Sequence, residues 1–289
     1  MAYFQEYLHD AIHYEMTKKQ METSVMENVS SGLCLHKEGE EKYVVSLTTH
    51  GRRIFTVFQA IESIFLQTVK VHHVVLYLST DEFLGKELPE TLMRQQKRGL
   101  VIRYVKDMKA YTKLIPALQD FPNDNIITID DDYMYPFDMI DRLTQCHHRN
   151  PNAVCCCHSR MLNISKGKDK MYSASTMYYP EEDTKSNLLL AEGFGGVLYP
   201  HHSLHEDVFE EKLFSKLSPY ADDLWYKVME LKQGTPVVQI ARNSTWIHSL
   251  CSEQSVQDIG LLNINIGQNK NDSQFKALLD HYDLYSNLI

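Results

Sequence analysis

Ile126 to Pro136 reads IITIDDDYMYP. Ile126, Ile127, Thr128 and Ile129 form a short β-branched run, the composition of a buried central strand. Asp130, Asp131 and Asp132 follow at once, and three adjacent carboxylates do not belong in a core, where each unpaired charge costs several kcal/mol. The strand is therefore expected to end near Asp130, with the acids emerging at its carboxyl edge. Ligands collect at that edge in open α/β sheets. A hard divalent cation such as Mg²⁺ or Mn²⁺ would relieve the repulsion among the acids. A bare acidic triplet reads equally well as a solvated turn that caps a helix opening at Pro136.

Outward from this stretch, strand and helix patterns alternate. Tyr43 to Leu47 is a strand pattern ending in a polar turn, Thr48, Thr49, His50 and Gly51, followed by Arg52 and Arg53. Val57, Ile61, Ile64 and Phe65 recur at helical spacing. Val71 to Leu78 and Leu100 to Val105 are further strands, the former running into Ser79, Thr80 and Asp81. Thr112 to Gln119 reads as a short helix containing Lys113. Alternation of this kind predicts an α/β fold with a mostly parallel central sheet covered by helices on both faces. Residues 1–39 lack strand signals and read as an N-terminal helical extension, with Tyr3, Tyr7, Ala11 and Tyr14 at helical spacing. The domain proper spans 40–289, with one half over about 43–135 and a second over about 136–289.

The second half is less regular. Ala153 to Cys157 is a strand candidate, and 158–190 is polar and mixed. Gly193, Gly195 and Gly196 allow either close approach of a ligand or only a bulge. Asp222 and Asp223 open a helix, where acids also serve simply as first-turn charges. Pro236 to Ala241 is a late strand, followed by Trp246 and His248.

At 289 residues with a net charge of −9, the chain suits one large soluble domain and is a poor binder of nucleic acid. No apolar run reaches the ~18 residues of a membrane span, and the first residues carry no secretory signal. Six cysteines lack zinc-type spacing and read as reduced, buried thiols, in keeping with a cytoplasmic protein.

Taken in order, these elements resemble the GT-A glycosyltransferases, most closely those of bacterial surface-polysaccharide synthesis. The resemblance covers about 43–250. It rests on the polar turn after the first strand, Asp130-Asp131-Asp132 as a DxD motif, the glycines 193–196, the acidic pair Asp222-Asp223 and the late His248. It implies transfer of a sugar from a nucleoside diphosphate sugar, UDP-linked by expectation, to a saccharide or lipid-linked acceptor, with Mn²⁺ or Mg²⁺. Asp132, Asp130 and His248 would hold the metal. Thr48, Thr49, Arg52, Ser79, Asp81, Lys113, Asp130 and Asp131 would contact the nucleotide or its phosphates. Gly195, Gly196, Asp222 and Trp225 would meet the donor sugar or acceptor, and Asp223 would be the general base of an inverting transfer. Peripheral association with the inner face of the plasma membrane is compatible with such an acceptor. A sugar-phosphate nucleotidyltransferase uses a related sheet and acidic site, although its Gly-rich first loop is not matched by the single Gly51. A non-catalytic binding or scaffold protein is the remaining alternative.

Overall fold

Largely apolar runs make the central strands β1 (Tyr43–Thr48), β2 (His73–Ser79) and β4 (Asn125–Thr128), buried along nearly all their length, and β3 (Leu100–Val105), a partly exposed edge strand. They occur in a computed structural model that describes residues 2–35, 41–241, 250–253, 255–256 and 270–288. The sheet is completed by β6 (Val154–Cys156), β9 (Thr184–Ser186), β11 (Val197–Tyr199) and β12 (Val237–Gln239). Two short strands, β5 (Tyr133–Met134) and β13 (Cys251–Ser252), pair with each other, and β7 (Ser159–Met161), β8 (Thr176–Tyr178) and β10 (Leu189–Ala191) form a small separate sheet.

The main sheet has eight strands in the order β3-β2-β1-β4-β11-β6-β12-β9. The pairs β1 with β2, β1 with β4, β2 with β3, and β6 with β12 are parallel. Strand β11 runs antiparallel to both β4 and β6, and β9 antiparallel to β12. Six of the eight strands thus share one direction, which makes the sheet mostly parallel, as the alternation of patterns predicts.

The two-residue period divides each strand between two cores. Val45, Leu47, Val74, Leu76 and Ile127 belong to one, together with Ile61, Ile64 and Phe65 of helix α2 (Phe58–Phe65) and Leu143 of α6 (Met139–Arg149). Val44, Val75, Tyr77 and Ile126 belong to the other. There they meet Leu114 and Ile115 at the start of α5 (Ile115–Asp120), Trp225 and Val228 of α8 (Asp222–Gln233), and Phe275 and Leu278 of the last helix, Lys270–Tyr282. The three adjacent cysteines split in the same way, Cys155 and Cys157 to one side and Cys156 to the other, and all are free thiols.

Helix α1 (Ala2–Glu27) lies against the domain through Met21 and Val25, which are fully buried. A polar knot secures it. Ser24 donates to Glu62 at 2.7 Å, Arg98 Nη1 donates to both oxygens of Glu62 at 2.7 and 2.9 Å, and Arg98 Nε donates to Ser30 O at 3.0 Å. The helix is polar on average, and no helix among the described residues is long and apolar enough to cross a membrane.

One topological feature positions everything functional. From β1 the chain adds β2 and then β3 to one side, and later returns to place β4 on the other side of β1. The loops leaving the carboxyl ends of β1 and β4 therefore diverge, and a crevice opens between them.

Candidate active site

The loop after β4 carries the three aspartates into that crevice. Ile129 N–H still bonds Ser46 O at 3.2 Å, after which the backbone leaves the ladder. Tyr135, buried on the core side, takes over: its hydroxyl accepts Asp130 N–H at 2.8 Å and donates to Phe194 O at 3.0 Å. It therefore ties the aspartate loop to the glycine-containing segment some sixty residues later. Pairing of β5 with β13 holds the far end, where Asp132 O accepts Glu253 N–H at 2.7 Å.

The turn after β1 supplies the counter-charge. Gly51 has φ +55°, a left-handed conformation that starts the tight turn Gly51–Phe55 and swings two neighbouring arginines apart. Arg53 points inward, 7% exposed, and reaches Asp131 at 2.8 Å and Asp132 at 3.1 Å. Thr49 donates to the other oxygen of Asp131 at 2.5 Å. Burial by itself would lower the pKa of Arg53, but Asp131, Asp132 and Asp130 outweigh it and hold the guanidinium charged. Arg52 points outward and donates to Ser255 O at 3.1 Å.

A second charge centre lies deeper. The turn Lys109–Lys113 precedes α5, and Ser46 of β1 fixes the carbonyl of Lys113 by a hydrogen bond. The buried Lys113 ammonium sits 2.8 Å from Asp130 and 3.2 Å from Asp222. Burial opposes its charge, yet Asp130, Asp222 and Asp223 together raise its pKa well above normal. Gly193 makes room for this arrangement: a Cβ there would fall 2.6 Å from Lys113 Nζ and 3.2 Å from Asp223 Oδ1. Asp223 accepts Gly193 N–H at 3.4 Å. Its pKa is driven well above the ordinary carboxylate value, first by desolvation and then by the neighbouring Asp222, against the pull of Lys113. The helix N-terminus by itself would have pulled it down. Burial and a like charge therefore oppose the dipole and make Asp223 more basic than an ordinary carboxylate.

These groups line one cleft of about 910 Å³. Its outer wall includes Tyr133 and Phe194, with ring centroids 5.4 Å apart, and Arg160, which pairs with Glu192 at 2.5 Å and lies over Tyr172. Desolvation raises the pKa of Glu192, with Arg160 opposing.

The cleft brings together many of the residues expected from sequence: Thr48, Thr49, Ser79, Lys113, Asp130, Asp131, Asp132, Asp222 and Asp223. Others stand elsewhere. Trp225 is fully buried, its indole N–H bonded to Val208 O at 3.2 Å and its ring against Phe214, so it is a core residue and not a substrate contact. Gly195 and Gly196 do not line the cleft. A Cβ at Gly195 would strike His158 at 2.3 Å, and one at Gly196 would strike Met139 Sδ at 2.7 Å, so both are needed for packing. Asp81 lies on the short helix Thr80–Phe83 away from the lining, and its neighbour Glu82 lines the cleft and accepts Gly51 N–H at 2.7 Å. Arg52, turned outward, leaves the inner position to Arg53. His248 falls outside the described residues. The sequence offers Arg52 or Arg53 as a cation near the phosphates without distinguishing them, and it gives no functional sign at Arg160, Glu192 or Tyr220. At Tyr135 the only sign is its adjacency to the aspartates.

Asp130 and Asp132 offer the hard oxygen donors that Mg²⁺ and Mn²⁺ favour. Among the described residues the cleft is lined by eight carboxylates against four basic side chains, an excess of negative charge that a divalent cation would offset. Lys113 and Arg53 already pair with Asp130 and Asp132, so such an ion would have to take the carboxylate oxygens that these cations leave open. Outside this cleft, His205, Glu206 and Asp207 place ligand atoms within 4.8 Å of one another, with Lys232 paired to Asp207.

No protein-family model matches the chain, and no curated protein matches it in sequence. Among solved structures, it is similar to a mannosyltransferase from Pyrobaculum calidifontis in complex with GDP-Man and Mn²⁺. The two are 12% identical, with a TM-score of 0.42, and the match covers 96% of this chain and 77% of that one. It is also similar to a CMP:2-keto-3-deoxy-manno-octonic acid synthetase complexed with CTP, at 13% identity and a TM-score of 0.41, covering 70% of this chain and 90% of that one. At that distance neither carries an argument about this chain's chemistry.

Proposed function

We propose that this protein is a glycosyltransferase of GT-A type, which moves a sugar from a nucleoside diphosphate sugar to a hydroxyl acceptor with a divalent metal and Asp223 as general base. One observation carries the reading. The aspartate loop after β4, Lys113, and the acidic pair at the start of α8 meet in one cleft at the switch point of the sheet, and there Asp223 has a raised pKa.

A nucleoside diphosphate brings two or more further negative charges into a cleft that is already acidic. Asp130 and Asp132 would hold Mn²⁺ or Mg²⁺, with His248 as a further candidate ligand, and the ion would act as a Lewis acid toward the departing diphosphate. Lys113 keeps Asp130 and Asp222 in place and contributes a fixed positive charge that needs no reorganisation. Arg53 and Thr49 orient Asp131, which leaves Asp131 a structural role at the base of the loop. Asp223 accepts the acceptor hydroxyl's proton as that oxygen attacks the anomeric carbon and the diphosphate leaves. Inversion at that carbon follows from a single displacement of this kind.

The test is transfer or hydrolysis of common nucleotide sugars with Mn²⁺, read as released nucleoside diphosphate. Asp223→Asn should abolish turnover while nucleotide binding survives, and near-normal turnover would place the base elsewhere. Release of pyrophosphate from a nucleoside triphosphate would instead favour the nucleotidyltransferase reading. No thermal stabilisation by UDP, GDP or CMP, with or without Mn²⁺, would favour a non-catalytic role.

A further inference from the structure

The cations in and beside the cleft are not all alike. Arg53, Lys113 and Arg160 each have a carboxylate partner. Lys109 and Lys270 do not: among the described residues neither has a carboxylate within ion-pair distance. Their ammonium groups converge on one ring instead. Lys109 Nζ is 4.6 Å and Lys270 Nζ 5.3 Å from the centroid of Tyr220. Cation–π attraction of about 0.5–1 kcal/mol each does not neutralise either charge.

The corner is built. Lys109 has φ +57°, in the left-handed region that a long side chain enters only at a cost, and Asp107 holds it there by accepting its backbone N–H at 2.7 Å. The same five-residue turn delivers Lys113 to the inner acids and Lys109 to the outer wall. Gln274 accepts Tyr220 N–H at 3.2 Å and pins the ring's backbone to the helix that begins with Lys270. Lys109, Tyr220 and Asn271 all line the cleft. Asn271 Oδ1 is buried without a hydrogen-bond partner among the described residues, beside Tyr172. Tyr220 stands only three residues before Asp223, so the corner adjoins the proposed base.

We propose that Lys109 and Lys270 on Tyr220 form a subsite for a phosphate-class anion carried by the acceptor, so that the acceptor is an anionic, hydroxylated molecule. The word acceptor rests on the glycosyltransferase reading, whereas the anion subsite does not. The test begins with metal-free protein, whose inner cleft is too acidic to hold phosphate. Inorganic phosphate is titrated by calorimetry into wild type, Lys109→Gln/Lys270→Gln and Lys109→Arg/Lys270→Arg. Wild type and the arginine variant should bind, and the glutamine variant should bind at least about tenfold more weakly. The affinity of UDP with Mn²⁺ should be the same in all three. Absence of phosphate binding by wild type, or equal binding by the glutamine variant, would overturn the subsite. Loss of UDP affinity together with phosphate would assign the anion to the donor and overturn the acceptor assignment. If wild type binds no nucleotide with Mn²⁺ but keeps lysine-dependent phosphate binding, the glycosyltransferase reading fails and the subsite stands.

Discussion

Replacing Lys113 by Met removes a cation that joins the aspartate loop to the helix bearing Asp222 and Asp223. Met matches the aliphatic stem, so packing against Gly193 is retained and the loss is electrostatic. The ammonium lies 2.8 Å from Asp130 and 3.2 Å from Asp222, whose side chains are 30% and 11% exposed. Breaking a buried pair from one side costs about 3–5 kcal/mol, and the partial exposure of Asp130 puts the expectation at about 3 kcal/mol. With an unfolding entropy near 2.1 cal/mol/K per residue over 289 residues, that lowers the Tm by about 5 °C. The pH dependence separates this cause from a packing defect. In wild type the folded-state pKa of Lys113 lies above 10.5, so its stabilisation is fully present below that pH and constant across the neutral range. In the variant, the carboxylates lose their compensating charge. The folded-state pKa of Asp223, already above its ordinary value of 3.8, rises further. An acid with a raised pKa costs nothing where it is protonated in both states, and costs progressively more as pH rises through and above the unfolded value. Urea unfolding of wild type and variant at about pH 4.5 and pH 8 should therefore show a larger deficit at pH 8. An equal deficit at both pH values, or a Tm loss under about 1 °C at pH 8, would refute the charge-link argument.

Three further outcomes are expected. Tyr135→Phe leaves Asp130 N–H and Phe194 O without their shared partner, so stability should fall by about 1–3 kcal/mol in urea, and metal-dependent nucleotide affinity should drop with it. Trp225→Ala should cost about 3–5 kcal/mol of stability, while enough folded protein at low temperature keeps its nucleotide affinity, since the indole does not touch the cleft. Lys227 and Glu230 form a fully buried pair at 3.2 Å, and burial lifts Glu230 to about 7. Lys227→Met alone should therefore destabilise more at pH 8 than at pH 5, where Glu230 takes up a proton, whereas Lys227→Met with Glu230→Leu should be neutral or stabilising at both.

Local patterns carried the sheet. The runs 43–48, 73–79 and 125–128 are legible because burial on both faces demands mostly β-branched and aliphatic residues over at least one full period, and the edge strand 100–105, though partly exposed, keeps that composition except at Arg103. The strands of 158–190 were not legible, because three-residue strands with mixed exposure are shorter than any such period. Asp130 to Asp132 and Asp222-Asp223 stood out as acids at an element's end, where the chain must leave the core. What they do there depends on contacts across long stretches of chain. Lys113 reaches Asp222, Arg53 reaches Asp131, and Tyr135 reaches Phe194. No spacing rule distinguishes Arg53 from Arg52, or Gly193 from Gly195 and Gly196. The difference lies in which way a tight turn aims each side chain, and in which atom already occupies the space where a Cβ would go. The amino-acid sequence by itself determined a mostly parallel α/β sheet with acids at its carboxyl edge. Only the tertiary structure decided that these acids share a buried lysine, and that burial beside Asp222 outweighs the helix dipole in setting the basicity of Asp223.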